Sequence, residues 1–110
     1  MDKDAVLDAV KFLEKCLIEK GLEVSKIILF GSQVEGQTTH ESDVDVAIVS
    51  EDFQGKDIFE RAMLTKDAEI ITIRKFMIPF DIITLTVEEF ESEASLIAEY
   101  VKSGEVLYSA

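Results

Sequence analysis

Asp43 and Asp45 stand two positions apart in the run Asp43-Val44-Asp45-Val46-Ala47-Ile48-Val49. Val44, Val46 and Ile48 alternate with Asp43, Asp45, Ala47 and Val49, the period of a strand, so both carboxylates leave the same face of the chain. Aspartate is depleted in strands and two neighbouring carboxylates repel, so something must offset the repulsion. A hard divalent cation such as magnesium does this through oxygen ligands. Two such ions roughly 3.5–4 Å apart can hold the attacking and leaving oxygens of a displacement in line. Ten residues upstream of Asp43, the apolar run Ile27-Ile28-Leu29-Phe30 ends on Gly31-Ser32. Free amides and a hydroxyl at a strand end can cradle a phosphate, and glycine lets the backbone come close. Asp81, in Pro79-Phe80-Asp81-Ile82, is a third carboxylate near the start of an apolar run. An Asp-x-Asp pair in so acidic a chain is ordinarily a solvated strand end, and it is the combination with Gly31-Ser32 that points to phosphate chemistry.

The elements that must position these residues follow from periodicity. Val6, Val10, Leu13 and Leu17 recur at helical spacing and predict a helix over about 5–20, with Asp2 or Asp4 at its start and Gly21 at its end. Ile27–Phe30 predicts a strand buried on both faces, 31–42 a loop, and 43–49 a second strand. A turn around Gly55 leads to a helix over about 57–75, although Ile70, Ile71, Thr72 and Ile73 are also strand formers. Pro79 stops it, and Phe80–Leu85 predicts a third strand. Thr86 and Glu89 form a capping box, and Phe90, Ala94, Ile97 and Val101 extend that helix to Gly104, with Glu105–Tyr108 as a short edge strand. The connection of about a dozen residues between the first two strands suits a hairpin better than a crossover, so a mixed sheet is expected.

The 110 residues, 47% of them apolar, fit one domain over 1–110 with one core, and leave no room for a second. Acidic residues outnumber basic ones 23 to 11, and the net charge of −12 makes nucleic acid an unsuitable main partner. Cys16 is the only cysteine, so no intramolecular disulfide forms and a reducing cytoplasm is the expected compartment. No apolar run is long enough to cross a bilayer and no targeting segment precedes the first helix, so no membrane role is expected.

Other motifs carry less. Gly31 to Thr38 has the glycine spacing of a Walker A loop, but Gln37 replaces its lysine and no helix can follow before the second strand. Ser32, His40 and Asp43 share one short loop without a nucleophile elbow, so no hydrolytic triad is expected. His40 and Cys16 lack zinc-ligand spacing; the first is expected in a solvated loop and the second in packing. Glu88, Glu89, Glu91 and Glu93 lie where carboxylates favour a helix dipole, on a solvated face.

Taken together, these residues resemble the minimal nucleotidyltransferases of the DNA polymerase beta superfamily, whose signature is Gly-Ser, ten residues, then Asp-x-Asp. Gly31-Ser32 and Asp43-Val44-Asp45 match it, as do Gly36 and Ser42 in its wider form. Asp81 matches the family's third acidic residue, and the stretch from Leu85 through Phe90 to Val106 is similar to that of small prokaryotic members. The resemblance implies an α/β (α+β) fold of the polymerase beta nucleotidyltransferase type, with a mixed sheet of three to five strands covered by helices. It implies that Gly31 and Ser32 hold the triphosphate of ATP, while Asp43 and Asp45 ligate two magnesium ions. Asp81 would complete one metal shell and help deprotonate the acceptor hydroxyl. The implied reaction is transfer of AMP from ATP with release of pyrophosphate.

Small members of this kind are often the antitoxin partner of a HEPN-domain RNase toxin and adenylylate one of its tyrosines. The resemblance therefore implies a HEPN toxin as partner in a hetero-oligomer, and the acidic surface would suit a basic RNA-binding protein. Because the chain ends soon after its catalytic core, the acceptor is expected to be supplied by another protein. One departure is Glu35, where the family often has arginine, with Val34 before it in place of alanine. An acidic residue there costs attraction for a triphosphate unless Lys56, Arg61 or Lys66 compensates. Two other readings stay open: a non-catalytic antitoxin that neutralises its partner by binding, favoured by Glu35, and transfer to a small molecule such as an aminoglycoside, which lacks a substrate domain here.

Overall fold

The computed structural model describes residues 3–30 and 43–110, so Gly31, Ser32, Val34, Glu35, Gly36, His40 and Ser42 lie outside the described residues. Each of the apolar runs pairs into one sheet: β1 (Val24–Phe30), β2 (Val44–Ser50), β3 (Phe80–Leu85) and β4 (Glu105–Ser109), in the order β3-β2-β1-β4. β1 is antiparallel to both β2 and β4, whereas β2 and β3 are parallel. The expected mixed sheet is therefore present. An antiparallel neighbour can be reached by a short connection, but the parallel step from β2 to β3 needs a crossover, which the helix α2 (Ile58–Phe76) supplies.

The two faces of the sheet are covered unequally. The apolar stripe of α1 (Lys3–Glu19), with Val6, Leu13 and Leu17 fully buried, packs with Ile27, Leu29, Val44, Val46 and Ile48. Ala68 of α2 and Phe53 belong to the same cluster. Burying each such leucine or isoleucine stabilises the fold by about 1.5–3 kcal/mol relative to exposure. On the opposite face Ile28, Phe30, Ala47, Val49, Leu85 and Val101 make a smaller cluster under α3 (Val87–Glu91) and α4 (Leu96–Lys102). Asp45 and Asp81 share that thinner face, by the alternation of β2 and β3.

The helix ends follow local chemistry. Gly21, at φ 92°, closes α1 while the Leu22 amide donates to the Leu17 carbonyl at 3.0 Å, a Schellman arrangement. Asp57 and Glu60 form a capping box at the start of α2. At its other end Met77 is left-handed (φ 56°, ψ 34°), ahead of Pro79, so Ile70–Ile73 lie in the helix despite their strand propensity. One expectation needs correction: the continuous helix from Thr86 to Gly104 is two helices. Thr86 and Glu89 do form the capping box, but Ser92 ends α3 and Ser95 caps α4 by accepting from the Ala98 amide at 3.1 Å. Serine side chains that bond the backbone locally compete with helix continuation. Ala94 and Ile97 are consequently exposed instead of lining a buried stripe.

Gly104 is where α4 turns into β4, pressed against the back of β1. A Cβ there would lie 2.5 Å from the Leu29 carbonyl oxygen and 2.9 Å from Phe30 Cβ, so backbone would have to move. Gly104→Ala is expected to cost about 1–3 kcal/mol, the range for overpacking a tight site. Urea unfolding measures this, and an unchanged midpoint would contradict the close approach.

Candidate functional site

Asp45 is the second residue of β2 and Asp81 the second of β3, and the parallel register pairs them directly. Neighbouring strands lie about 4.8 Å apart, so the two side chains leave the same face as immediate neighbours. On its other side Asp45 pairs with Phe30, the last residue of β1. The strand end leading to Gly31-Ser32 and the two carboxylates thus meet at one end of the sheet, in the order Asp81, Asp45, Phe30. Asp43 is exposed just before β2 begins.

The electrostatics agree with this placement. Partial burial, then the charges of Asp81 and Asp43, push the Asp45 carboxyl above the ordinary aspartate range. Asp43 and Asp81 therefore both act on Asp45 through space. Their donor chemistry, carboxylate oxygens with unrelieved repulsion, fits a hard divalent cation. Among the described residues, however, no group of three or more His, Cys, Asp or Glu side chains is gathered tightly enough to hold a metal ion by itself. The carboxylates make an open half-shell that would need further oxygens from elsewhere.

A fourth acid was not singled out in the sequence. Glu69 of α2 is half-buried, and burial followed by the Asp81 charge raises its carboxyl as well. Arg61, Thr65 and Glu69 recur every four residues and so share one line along α2, a pattern that sequence could have offered. All three line a groove of about 900 Å³ that also includes Asp81. Arg61 is not a free cation there: it donates to Glu89 Oε1 at 2.7 Å, to Glu89 Oε2 at 3.3 Å and to the Lys56 carbonyl at 2.9 Å. Its charge is therefore committed to Glu89, leaving Lys56 and Lys66 of the three bases considered against Glu35. Glu89 in turn departs from the fully solvated face expected for it. Its hydrogen bond to Arg61, aided by Thr86, holds its carboxyl below the ordinary glutamate range despite some burial. Glu88, Glu91 and Glu93 are exposed as expected, and Cys16 is buried and free.

Comparison with known proteins bears on this arrangement. The family model for polymerase beta nucleotidyltransferases matches residues 13–110. No curated protein matches the chain by sequence. A solved structure of a candidate nucleotidyltransferase from Sulfolobus solfataricus superposes with a TM-score of 0.70 at 18% identity, covering 97% of this chain and 83% of that one. A toxin–antitoxin structure with AMP-PNP superposes with a TM-score of 0.61 at 17% identity, covering 100% of this chain and 75% of that one. At these identities the likeness is one of fold. No helix among the described residues is long and apolar enough to cross a membrane.

Two stability measurements check the electrostatics. Because the folded Asp45 carboxyl is raised, the stability of its neutral form is present at low pH and lost as pH rises through the folded value. At neutral pH the charge is a net cost. Asp45→Asn is expected to raise Tm in chelator-treated buffer by about 2–4 °C, allowing for solvent screening. Added magnesium would stabilise the wild type and not the variant; a lower Tm for the variant, or equal magnesium effects, would count against the half-shell. Glu89 has the opposite sign: its contribution is present at neutral pH and fades as pH falls through the ordinary glutamate range towards the lower folded value. Glu89→Gln should cost at most about 1 kcal/mol at pH 7, since the pair is partly exposed. A wild-type-minus-variant difference that does not shrink towards pH 3 would contradict it.

Proposed function

The chain belongs to the polymerase beta nucleotidyltransferase family, and from that premise we propose that it transfers AMP from ATP to a hydroxyl of a partner protein, a tyrosine of a HEPN-type toxin. The observation that carries this reading is the in-register pairing of Asp45 with Asp81 beside the strand that leads to Gly31-Ser32. In this reading Gly31 and Ser32 hold the triphosphate by backbone amides and hydroxyl. Asp43 and Asp45, with Asp81 beside them, would ligate two magnesium ions, which supply charge neutralisation at the phosphates and acidify the attacking hydroxyl. Phosphate oxygens would complete the open half-shell.

The order of strands divides the labour. The β1–β2 connection carries the phosphate-binding pair, whereas Asp81 stands on β3, the edge of the sheet. The nucleotide is therefore assigned to the β1 side and the acceptor to the β3 side. Asp81 orients the acceptor hydroxyl and takes its proton as the oxygen bonds to the α-phosphorus. The bond from that phosphorus to the bridging oxygen breaks, and pyrophosphate leaves. A solved relative in fold is a toxin–antitoxin structure with AMP-PNP, which supports both a nucleotide and a toxin partner.

The test is to incubate the protein and its co-encoded partner with magnesium and ATP labelled at the α-phosphate. Label is expected on a partner tyrosine, reduced at least about 100-fold by Asp45→Asn or Asp81→Asn, the scale for losing a charge-stabilising or proton-transfer group. If the partner is neutralised without incorporating label, and equally well by Asp45→Asn, binding alone explains the antitoxin effect and transfer is refuted.

A further inference from the structure

β3 is the last strand of the sheet, and its outer edge has no strand beside it among the described residues. The Val44 amide donates to the Pro79 carbonyl at 2.9 Å, which sets the phase of the strand. Asp81, Ile83 and Leu85 turn their peptide groups towards β2, and Phe80, Ile82 and Thr84 turn theirs outward. Arg61 Nη1 reaches the Thr84 carbonyl from outside at 3.4 Å, as that phase requires.

Exposed edges are normally blunted, because they recruit other chains. Here the edge forms the floor of the 900 Å³ groove instead. Thr65 and Glu69 of α2 flank it on one side, and Ser92, Ser95 and Ile97 flank it on the other. Near Thr84 the Arg61–Glu89 ion pair spans from α2 to α3 and ends the run. A whole second sheet approaching this edge would meet these flanks. The groove is also net acidic. Asp57, Glu69, Asp81 and Glu89 face it against Lys56 and Arg61, and Arg61 is already neutralised by Glu89.

Resting on the reading of Asp81 as the acceptor-side carboxylate, we propose that the acceptor is bound as an added β-strand. A basic, extended peptide segment pairs with the outward peptide groups of Phe80 and Ile82, short of the Arg61 contact at Thr84, and so carries its hydroxyl residue to Asp81. Main-chain bonds provide affinity in such pairing, and flanking positions provide selectivity, here for lysine and arginine. This also assigns Ile82 and Ile97 to acceptor binding, although neither touches the reacting atoms.

Amide exchange followed by NMR tests this directly. The probe is a blocked eight-residue peptide alternating lysine with valine around one tyrosine, beside the same peptide N-methylated at alternate positions. Bound peptide is expected to slow exchange of the Ile82 amide at least tenfold while leaving that of Ile83, already bonded to β2, unchanged. N-methylation should abolish the effect with all side chains retained. Ile82→Pro removes an outward donor, which an edge strand tolerates, and should weaken peptide binding at least tenfold. Ile97→Lys, on the exposed flank, should weaken it by like charge and serves if the proline variant does not fold. Equal binding of the methylated peptide, no protection of Ile82, or protection already present in a β3-to-β3 dimer would overturn the proposal. Protection with no label transferred to any hydroxyl would leave strand addition standing and refute only the transferase reading.

Discussion

The register between β2 and β3 decides what the sheet can do. Pairing Asp45 with Asp81 sets two carboxylates from distant parts of the chain side by side, next to Asp43 and the end of β1. A slip of one residue would move a strand's side chains to the other face and separate the pair. The burial pattern resists that slip. Val44, Val46 and Ile48 are all fully buried on the α1 side, and Ala47 and Val49 are buried on the other, so a slip would bring Asp45 into the α1-side core and force larger side chains into the Ala47 site. Burying an unpaired carboxylate and overpacking a small site, the latter alone at about 1–3 kcal/mol, costs more than the repulsion between partly solvated carboxylates at a strand end. The core thus enforces a charge arrangement that the charges themselves oppose.

That opposition is concentrated at one end of the molecule. Asp45 and Glu69 are both raised, and Asp81 contributes to each. Elsewhere the acids are used for stability: Asp57 and Glu60 cap α2, Thr86 and Glu89 cap α3, and Glu89 anchors Arg61. The same residue type is therefore divided between helix ends, where it is satisfied locally, and the strand ends, where it is not. Unsatisfied like charges on a rigid sheet are a suitable receptor for a cation, and their cost to the free protein is the corollary.

Much of this was legible in the sequence because it is local. β3 follows the apolar run Phe80–Leu85 to the residue, the alternation around Asp45 gave the correct faces, and the capping box at Thr86 marked a helix start. The order of strands was partly legible, since a connection of a dozen residues favours an antiparallel neighbour. What was hidden depends on tertiary packing. Ser92 and Ser95 break the last helix although Phe90 and Val101 keep a helical period, because periodicity weighs apolar positions and not local side-chain bonds. Glu69 acquires meaning only when α2 crosses beside β3, and Arg61 only when it finds Glu89. The phosphate-binding role proposed for Gly31-Ser32 rests on spacing and family membership, both residues being outside the described residues.

The central claim is that Asp43, Asp45 and Asp81 form one divalent-cation site that nucleotide completes. The most direct measurement is anomalous diffraction from crystals grown with manganese and a non-hydrolysable ATP analogue. Manganese peaks bonded to Asp43 and Asp45, with Asp81 in or beside the same shell and phosphate oxygens filling the remainder, are the predicted result. Nucleotide bound with no manganese at these carboxylates, or with its phosphates away from this end of the sheet, would contradict it.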